Sequence, residues 1–279
     1  MAARFKMLSV DESKRLLDVR APGELSVLDV RQPWEYGEFH LPGARLIPLP
    51  ELSDKLAELD PRKPVLVYCA HGRRSAAAAG LLVGQGFEDV MSMEGGIAAW
   101  RDGYAVGEPR MGMEQFTGVE TPLEALSVAY AMEENLGRFY AGLAERAVEE
   151  DLRKLCHRLS QFEESHKALV FNIARNHDPD LADPAELLAL RASETLEGGF
   201  PAELFLAEHQ GELTTAHGVV QAAMMFEAQA LDLYLRLHRA AGSEHTARAF
   251  ESLAREERRH LRSLGKLMDR MGERKPASA

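Results

Sequence analysis

A cysteine stands where a short apolar run gives way to a helical pattern, so that loop amides and a helix N-terminus should meet around it. The loop that follows Cys69 consists of Ala70, His71, Gly72, Arg73, Arg74 and Ser75. Converging backbone N–H groups, the helix dipole and two arginines should lower the thiol pKa and stabilise a thiolate or persulfide. We predict that Cys69 is a nucleophile and that Arg74 helps to stabilise its anion. The alternative is that Cys69 is a small buried side chain.

A second set of chemically useful residues repeats along the C-terminal half. Two Glu-x-x-His motifs occur there, and residues three apart share one face of a helix. A further glutamate stands thirty residues before each motif. The complete set is Glu133, Glu163, His166, Glu227, Glu257 and His260. The pattern repeats at an offset of 94 residues, which indicates an internally duplicated helical hairpin.

Four carboxylates and two imidazoles on four helices form a ligand set for two metal ions. Four negative charges balance two divalent cations, and their burial without cations would be very costly. The mixture of ligands suits iron or manganese, with zinc also possible. Tyr140 and Tyr234 follow Glu133 and Glu227 by two turns and are expected either to hydrogen-bond to the ligands or to fill the core. Cys156, on the same face, is expected to fill the core.

The elements that must position these residues differ between the two halves. In the first half, buried strands are predicted at 26–30, 64–68 and 89–93, and helical stretches at 11–18, 50–59 and 75–84. Strands that alternate with helices are typical of an α/β domain with a mostly parallel sheet. Within it, we expect Asp29 and Arg31 to form a structural ion pair and His40 to stabilise the fold.

After residue 120 the pattern is helical almost to the end. Helices are expected near 121–147, 149–176, 213–241 and 243–272, with shorter pieces within 183–208. Thr121 followed by Pro122 and Glu124 predicts a capping box. We predict a first domain at 1–107, a linker at 108–119, a four-helix bundle at 120–273 and a flexible tail at 274–279.

Composition excludes several classes of protein. The net charge is −11, and most of the acidity lies in the second half, so nucleic acid is not an expected partner. No apolar run is long enough to cross a membrane, and no secretory signal is recognisable. The two cysteines, one in each half, indicate free thiols in a cytoplasmic protein and exclude a four-cysteine metal site within this chain.

Three segments of the first half resemble the rhodanese family. They are LDVRQPWEYGEFHLPGA (28–44), VYCAHGRRS around Cys69, and GFEDVMSMEGGIAAW (86–100). The resemblance spans roughly residues 5–104 and implies a rhodanese-like α/β domain, in which a parallel sheet is flanked by helices. It also implies a persulfide on Cys69, formed from thiosulfate, a persulfide or another sulfane-sulfur donor and passed to a thiol or cyanide. His71 and Arg73 would then face the donor or acceptor, or else are merely solvated.

The length of the loop distinguishes two chemistries on this type of fold. The spacing from Cys69 to Arg74 is Cys-x4-Arg. The related phosphatases and arsenate reductases have a loop one residue longer, whose wider cradle suits a tetrahedral oxyanion. The shorter loop favours a single sulfane sulfur. Phosphatase or arsenate reductase activity is therefore a disfavoured alternative.

Four segments of the second half resemble rubrerythrin-type ferritin-like domains. They are ALSVAYAMEENLGRFYAGLAE (125–145), SQFEESHKALV (160–170), AAMMFEAQALDLY, which contains Glu227, and REERRHLRSL (255–264). The resemblance covers about residues 118–272 and implies an all-α ferritin-like four-helix bundle with two iron ions that react with peroxide or dioxygen. Ala230 stands where that family carries an additional carboxylate. Electrons would come from an external donor or from the substrate, and such bundles often pair as homodimers.

Together these patterns favour an enzyme that couples sulfur transfer through Cys69 to a di-iron bundle. A second hypothesis is a sulfur carrier or redox sensor without turnover, in which the bundle binds iron and promotes dimerisation. Steady-state turnover with thiosulfate or peroxide would separate the two.

Overall fold

The chain divides into two units, Met1–Pro109 and Arg110–Ala279, and each is described by itself. The structure is a computed structural model that describes residues 5–101 and 103–273. The predicted flexible tail at 274–279 lies outside the described residues. None of the helices in these ranges has an apolar stretch long enough to span a membrane.

A parallel sheet forms the centre of the first unit. Its strands are β1 (Lys6–Leu8), β2 (Ser26–Asp29), β3 (Arg45–Leu46), β4 (Val65–Tyr68) and β5 (Val90–Met93). They pair in the order β1-β5-β4-β2-β3, and every pairing is parallel. The helices of this unit are α1 (Val10–Val19), α2 (Pro33–Glu38) and α3 (Arg73–Gly84). Strand β4 is therefore central, and its carboxyl end leads directly into the Cys69 loop.

Side chains of β4 alternate between two apolar clusters, one on each side of the sheet. Val65 and Val67 pack in the cluster that contains Ala78 of α3. Leu66 and Tyr68 pack in the other cluster. All four strand residues have no exposed surface, as expected of a parallel strand that is covered on both faces.

The predicted α/β architecture is confirmed, with one helix wrong and two strands missed. Residues 50–59 form two single 3-10 turns, Leu49–Glu51 and Leu56–Glu58, instead of one helix. Hydrogen bonds between residues three apart close these turns, from the N–H of Leu52 to the carbonyl of Leu49 at 3.3 Å and from the N–H of Leu59 to the carbonyl of Leu56 at 3.0 Å. Strands β1 and β3 have only three and two residues, too few for a periodic pattern.

The second unit is helical. Its helices are α4 (Pro122–Arg146), α5 (Glu150–His177), α6 (Pro184–Leu188), α7 (Ala202–His209), α8 (Ala216–Ala240) and α9 (Glu244–Glu273). Helix α4 packs along α5, and α8 packs along α9, so the four long helices form two hairpins. The predicted four-helix bundle is therefore confirmed. A crossover at 178–215 joins the hairpins and contains α6, α7 and the short turn Glu197–Gly199.

The two hairpins begin at equivalent positions of the predicted duplication. Thr121 caps α4 by accepting a hydrogen bond from the N–H of Glu124 at 3.2 Å, and Glu124 completes the capping box. Thr215, 94 residues later, caps α8 by accepting from the N–H of Gly218 at 3.0 Å. These caps satisfy donors that a helix leaves unpaired in its first turn.

The segment predicted as a linker, 108–119, packs mainly onto the helical unit. Phe116 is buried in the bundle core. The guanidinium of Arg236 donates to the carbonyl of Met111 at 2.9 Å. A side chain at Gly112 would meet the carbonyl of Gly198 at 2.7 Å, so the backbone lies close against the crossover. The division between the two units accordingly lies at Pro109.

Candidate active loop and candidate metal centre

Cys69 lies at the carboxyl end of β4, just before the first turn of α3. Its side chain is 1% exposed, and its Sγ accepts a hydrogen bond from the N–H of Gly72 at 3.1 Å. Gly72 has φ +91°, a conformation that favours glycine, and it caps the helix. The left-handed residue turns the chain so that loop amides point at the sulfur.

The hydroxyl of Ser75 forms the other side of the sulfur site. Its oxygen lies 3.7 Å from the Sγ of Cys69, donates to the carbonyl of Gly72 at 3.0 Å, and accepts from the hydroxyl of Ser92 at 3.0 Å. Burial alone would raise the pKa of Cys69. Hydrogen bonds from the amides of Ser75, His71 and Gly72, and from the Ser75 hydroxyl when its proton turns from the Gly72 carbonyl to the thiolate, outweigh burial, so the pKa of this thiol is lowered.

A glycine pair supports the loop from behind. A side chain at Gly96 would overlap the carbonyl oxygens of Cys69 and Ala70. The residues that follow donate to the same two carbonyls, from the N–H of Ile97 at 2.9 Å and from that of Ala98 at 3.0 Å. Close packing at Gly96 and these two backbone hydrogen bonds therefore fix the position of the loop that carries Cys69.

The two arginines of the loop have different surroundings. Arg74 donates two hydrogen bonds of 2.6 Å to the carboxylate of Glu35, and no hydrogen bond joins it to Cys69 among the described residues. Any stabilisation of the anion by Arg74 therefore acts through its charge: Glu35 contributes most to the raised pKa of Arg74, and Cys69 contributes as well. Arg73 and His71 are exposed, and Ala70 is half-buried. Glu35 belongs to the 28–44 segment that resembles the rhodanese family, but its contact with the loop after Cys69 was not predicted from the sequence.

Two predictions about structural residues are confirmed. Arg31 forms a buried ion pair with Asp29, with 2.7 Å between Nη2 and Oδ2. His40 is fully buried, stacks on Tyr36 with ring centroids 3.7 Å apart, and lies with Nδ1 2.9 Å from the carbonyl of Tyr36. These side chains hold loops together and do not reach the sulfur.

The six predicted metal ligands meet in a polar layer across the middle of the bundle. One apolar cluster, with Leu136 and Phe226, lies on one side of this layer. Another, with Met132 and Ala230, lies on the other side. The four glutamates of the layer are 1 to 4% exposed. An interior this apolar would not hold several carboxylates without compensating charge.

The two hairpins contribute equivalent halves to the layer. In the first half, Nδ1 of His166 lies 2.7 Å from an oxygen of Glu163 and 3.3 Å from one of Glu133. In the second half, Nδ1 of His260 lies 3.2 Å from an oxygen of Glu227 and 3.2 Å from one of Glu257. The two imidazoles stack with centroids 3.6 Å apart and an angle of 4° between planes.

Protons and cations compete for this centre. Burial raises the pKa of Glu163 to about 8. Burial would lower the pKa of both histidines, but the adjoining carboxylates outweigh it and raise the pKa of His166 to about 12 and that of His260 to about 10. Ligands must lose protons to bind metal, so metal binding should release protons.

A fifth buried carboxylate, which sequence reasoning missed, belongs to the same layer. Glu197 in the crossover has no exposed surface, and ligand oxygens of Glu133, Glu197 and Glu257 lie within 4.8 Å of one another. Burial and the neighbouring carboxylates raise the pKa of Glu197 well above its usual range. The sequence signal for Glu197 was weak, because it consisted only of a loop glutamate before two glycines, with apolar Leu196 and Phe200 on either side.

The remaining predicted residues are part of the apolar core. Tyr140 and Tyr234 are almost fully buried, and the hydroxyl of Tyr234 has no hydrogen-bond partner among the described residues, which favours the alternative that these rings fill the core. Tyr140 packs edge-on to Phe139 with centroids 5.8 Å apart. Cys156 is 1% exposed, lies in the same cluster, and has its pKa raised by burial, as expected of a core residue.

The side chains of the layer have the composition and spacing of a metal site. Groups of three potential ligands each lie within 4.8 Å of one another. Neither oxygen of Glu197 accepts a hydrogen bond from the described residues, although both are buried. Carboxylate and imidazole ligands are those preferred by iron and manganese. The described residues therefore supply the ligands and the buried negative charge that such ions need.

The first domain combines a parallel sheet with a cysteine loop. The second is a helical bundle with duplicated Glu-x-x-His motifs, so the chain consists of two domains of different fold class. The sequence profile of the rhodanese-like domain matches residues 6–102, and that of rubrerythrin matches residues 219–278. The second match covers the hairpin of α8 and α9. The chain thus joins a rhodanese-like domain to a rubrerythrin-type ferritin-like domain.

Curated relatives align with the first domain. Thiosulfate sulfurtransferase GlpE of Pseudoalteromonas translucida is 36% identical over 101 residues, which are 36% of this chain and 93% of that protein. GlpE of Pseudomonas entomophila is 38% identical over 110 residues, 39% of this chain and 96% of that protein. A solved rhodanese-like domain protein from Staphylococcus aureus is 31% identical, with 37% of this chain and all of that chain covered and a TM-score of 0.35. Through its first domain, the chain belongs to the rhodanese family.

Proposed function

We propose that the first domain transfers sulfane sulfur through a persulfide on Cys69. The observation that carries the proposal is the hydrogen bond of 3.1 Å from the N–H of Gly72 to Sγ, in a loop that lowers the thiol pKa. The GlpE relatives are named thiosulfate sulfurtransferases, which supports thiosulfate as a donor.

The proposed reaction has two steps. The Cys69 thiolate attacks the outer sulfur of thiosulfate, a new S–S bond forms, the S–S bond of thiosulfate breaks, and sulfite leaves with the electron pair. A thiolate or cyanide then attacks the outer sulfur of the persulfide, and Cys69 leaves as a thiolate. The loop amides stabilise the anion in both steps. Exposed His71 and Arg73 would attract anionic donors to the site.

For the second domain, we propose a centre of two metal ions held by the four glutamates and two histidines of the polar layer. The supporting observation is that all six side chains, predicted from a 94-residue repeat, lie in one buried layer. When bound, two irons would supply electrons to peroxide or dioxygen. The surrounding clusters exclude water, and His166 and His260 hold or release protons as the ions bind. An external donor would return the electrons.

Two measurements test the proposed function. Cys69→Ser should abolish thiosulfate sulfurtransferase turnover, whereas Cys156→Ser should retain it because that thiol is buried in the bundle core. Purified chain should take up two irons, with an absorption spectrum that changes on addition of peroxide. Full turnover by Cys69→Ser, or never more than one metal per chain, would contradict the respective half.

We further propose that the two domains act on connected chemistry, with sulfane sulfur and oxidant handled by one chain. Peroxide consumption by the iron-loaded protein should then rise when thiosulfate is added, and Cys69→Ser should abolish the rise. An identical rate in wild type and variant would show that the activities are independent. A single labelling event without multiple turnover would instead favour a sulfur carrier.

A further inference from the structure

We infer that Glu197 is a fifth carboxylate ligand of the metal centre, delivered by the crossover between the two hairpins. The inference rests on the proposed two-metal site and adds a residue that lies outside the duplicated pattern. Glu197 has no exposed surface. Among the described residues, no donor hydrogen-bonds to either of its oxygens. A carboxylate with a purely structural role would be paired with a donor, because an unpaired buried carboxylate is costly.

The position of Glu197 relative to the two hairpins supports this role. It forms a group of three potential ligands with Glu133 of the first hairpin and Glu257 of the second, whose ligand oxygens lie within 4.8 Å of one another. A different group of three potential ligands, also within 4.8 Å, consists of Glu227 and the two histidines. The histidines and Glu197 therefore belong to different groups, and Glu197 joins carboxylates from both halves.

The crossover is built so that it places this side chain in the interior. The N–H of Leu196 donates to the carbonyl of Phe200 at 2.7 Å, which closes a tight loop around Glu197. Gly198, with φ +74°, lies so close to α8 that a side chain there would overlap Gln229. Such a close approach requires glycine and fixes the residue before it.

A second anchor holds the same loop to the first hairpin. The side-chain amide of Asn135, two residues after Glu133, donates to the carbonyls of Ser193 at 2.8 Å and Thr195 at 3.0 Å. Hydrogen bonds therefore hold the loop on α4, and the close approach of Gly198 holds it against α8. A fifth carboxylate exceeds the charge of two divalent ions by one, so the ligand set can also balance a divalent ion with a trivalent one.

The decisive experiment compares Mn²⁺ binding to three forms of the full-length chain: wild type, Glu197→Gln and Glu194→Gln. Glu194 is an exposed glutamate of the same crossover and serves as the matched control. Free Mn²⁺ is followed by electron paramagnetic resonance. Loss even of a ligand's hydrogen-bond partner costs about 10–100-fold in metal affinity, so Glu197→Gln should weaken at least one Mn²⁺ site by about tenfold or more. Glu194→Gln should bind like wild type.

Stability without metal provides a second readout. Because Glu197→Gln removes a buried carboxylate that has no donor, the chelator-treated variant should unfold at the same or a higher temperature than wild type. Added Mn²⁺ should stabilise the variant less than it stabilises wild type. Equal Mn²⁺ affinity in wild type and Glu197→Gln would overturn the inference. Wild type that binds fewer than two Mn²⁺ ions would instead contradict the proposed function.

A second variant covers the case in which Glu197→Gln fails to fold. Glu197→Asp keeps the charge and shortens the side chain by one methylene, so its carboxylate should no longer reach the ions. We expect it too to bind Mn²⁺ about tenfold more weakly. Unchanged affinity of this variant would overturn the inference equally.

Discussion

Arg74 and Glu35 form a bidentate ion pair, with both Nη atoms of the guanidinium 2.6 Å from carboxylate oxygens. Arg74 lies in the first turn of α3, directly after the sulfur-binding loop, and Glu35 lies in α2. The pair fixes the helix that carries the loop, and the carboxylate offsets part of the positive charge near Cys69. The pKa of Glu35 is lowered, chiefly by the hydrogen bonds from Arg74.

Removal of this carboxylate should make Cys69 more acidic. In Glu35→Gln the charge of Arg74 is no longer offset, so the thiolate gains stabilisation and the pKa of Cys69 should fall by about 0.5. The rate of alkylation by iodoacetamide, measured against pH, reports the thiolate. Glu38→Gln, at an exposed position of the same helix, is the control. A profile of Glu35→Gln that coincides with the control would show that the pair does not act on the thiol.

The same pair should contribute to stability in a pH-dependent way. The pKa of Glu35 is lower in the folded protein, so the contribution is present above the unfolded pKa and is lost as pH falls through the folded one. Since the pair is only partly buried, we expect it to contribute about 1 kcal/mol at neutral pH. Urea unfolding of Glu35→Gln and Glu38→Gln should differ by this amount at pH 7 and converge in acid. A difference that persists at low pH would point to packing instead.

The hydroxyl of Ser75 should be needed for the acidity of Cys69. Its hydrogen bond helps to lower the thiol pKa, so Ser75→Ala should move the alkylation profile to higher pH and slow sulfur transfer at neutral pH. Cys156 should remain unreactive while the protein is folded, because burial raises its pKa and leaves it 1% exposed. Alkylation of the Cys69→Ser variant, which retains Cys156, gives the background rate. An unshifted profile in Ser75→Ala would mean that the amides alone determine the pKa.

The sequence was sufficient for those parts of the fold that repeat or that carry a local signal. The 94-residue offset predicted both hairpins, because helical periodicity places residues three or seven apart on one face whatever surrounds them. The strand before Cys69 was also predictable, since Val65 and Val67 are β-branched and the run from Pro64 to Tyr68 is too short for a typical helix. By contrast, β3 has two residues and depends on its pairing with β2.

The residues that were missed act across long sequence separations. Glu35 is separated from Arg74 by 39 positions. Glu197 reaches the polar layer through a loop whose path depends on contacts with Asn135 and Gln229. No periodic pattern connects such partners, so only the folded chain reveals them. Tyr234 shows what helical spacing can and cannot predict: it placed the ring on the correct face but could not decide whether the hydroxyl has a partner, and it lacks one among the described residues.

Neighbouring glutamates of α5 should differ sharply in their effect on metal binding. Glu163 is 2% exposed and lies in the polar layer, whereas the side chain of Glu164 is 68% exposed and pairs with Lys167. Glu163→Gln should therefore weaken Mn²⁺ binding by at least about tenfold, and Glu164→Gln should leave it unchanged. Equilibrium dialysis with metal analysis measures both. Equal affinities would indicate that the layer does not bind the metal through this residue.

Two glycines of the first domain provide a matched test of how the sulfur loop is supported. Gly86 and Gly96 both have positive φ, at +89° and +62°, so alanine at either position is strained by about 1–3 kcal/mol. Nothing lies within 4 Å of a side chain added at Gly86, whereas one at Gly96 would overlap the carbonyl oxygens of Cys69 and Ala70. Gly86→Ala should therefore lower the unfolding midpoint and retain thiosulfate turnover. Gly96→Ala should displace the loop, return the thiol pKa toward its ordinary value, and lose most turnover. If turnover fell equally in both variants, backbone strain alone would account for the loss, because only alanine at position 96 would push against Cys69.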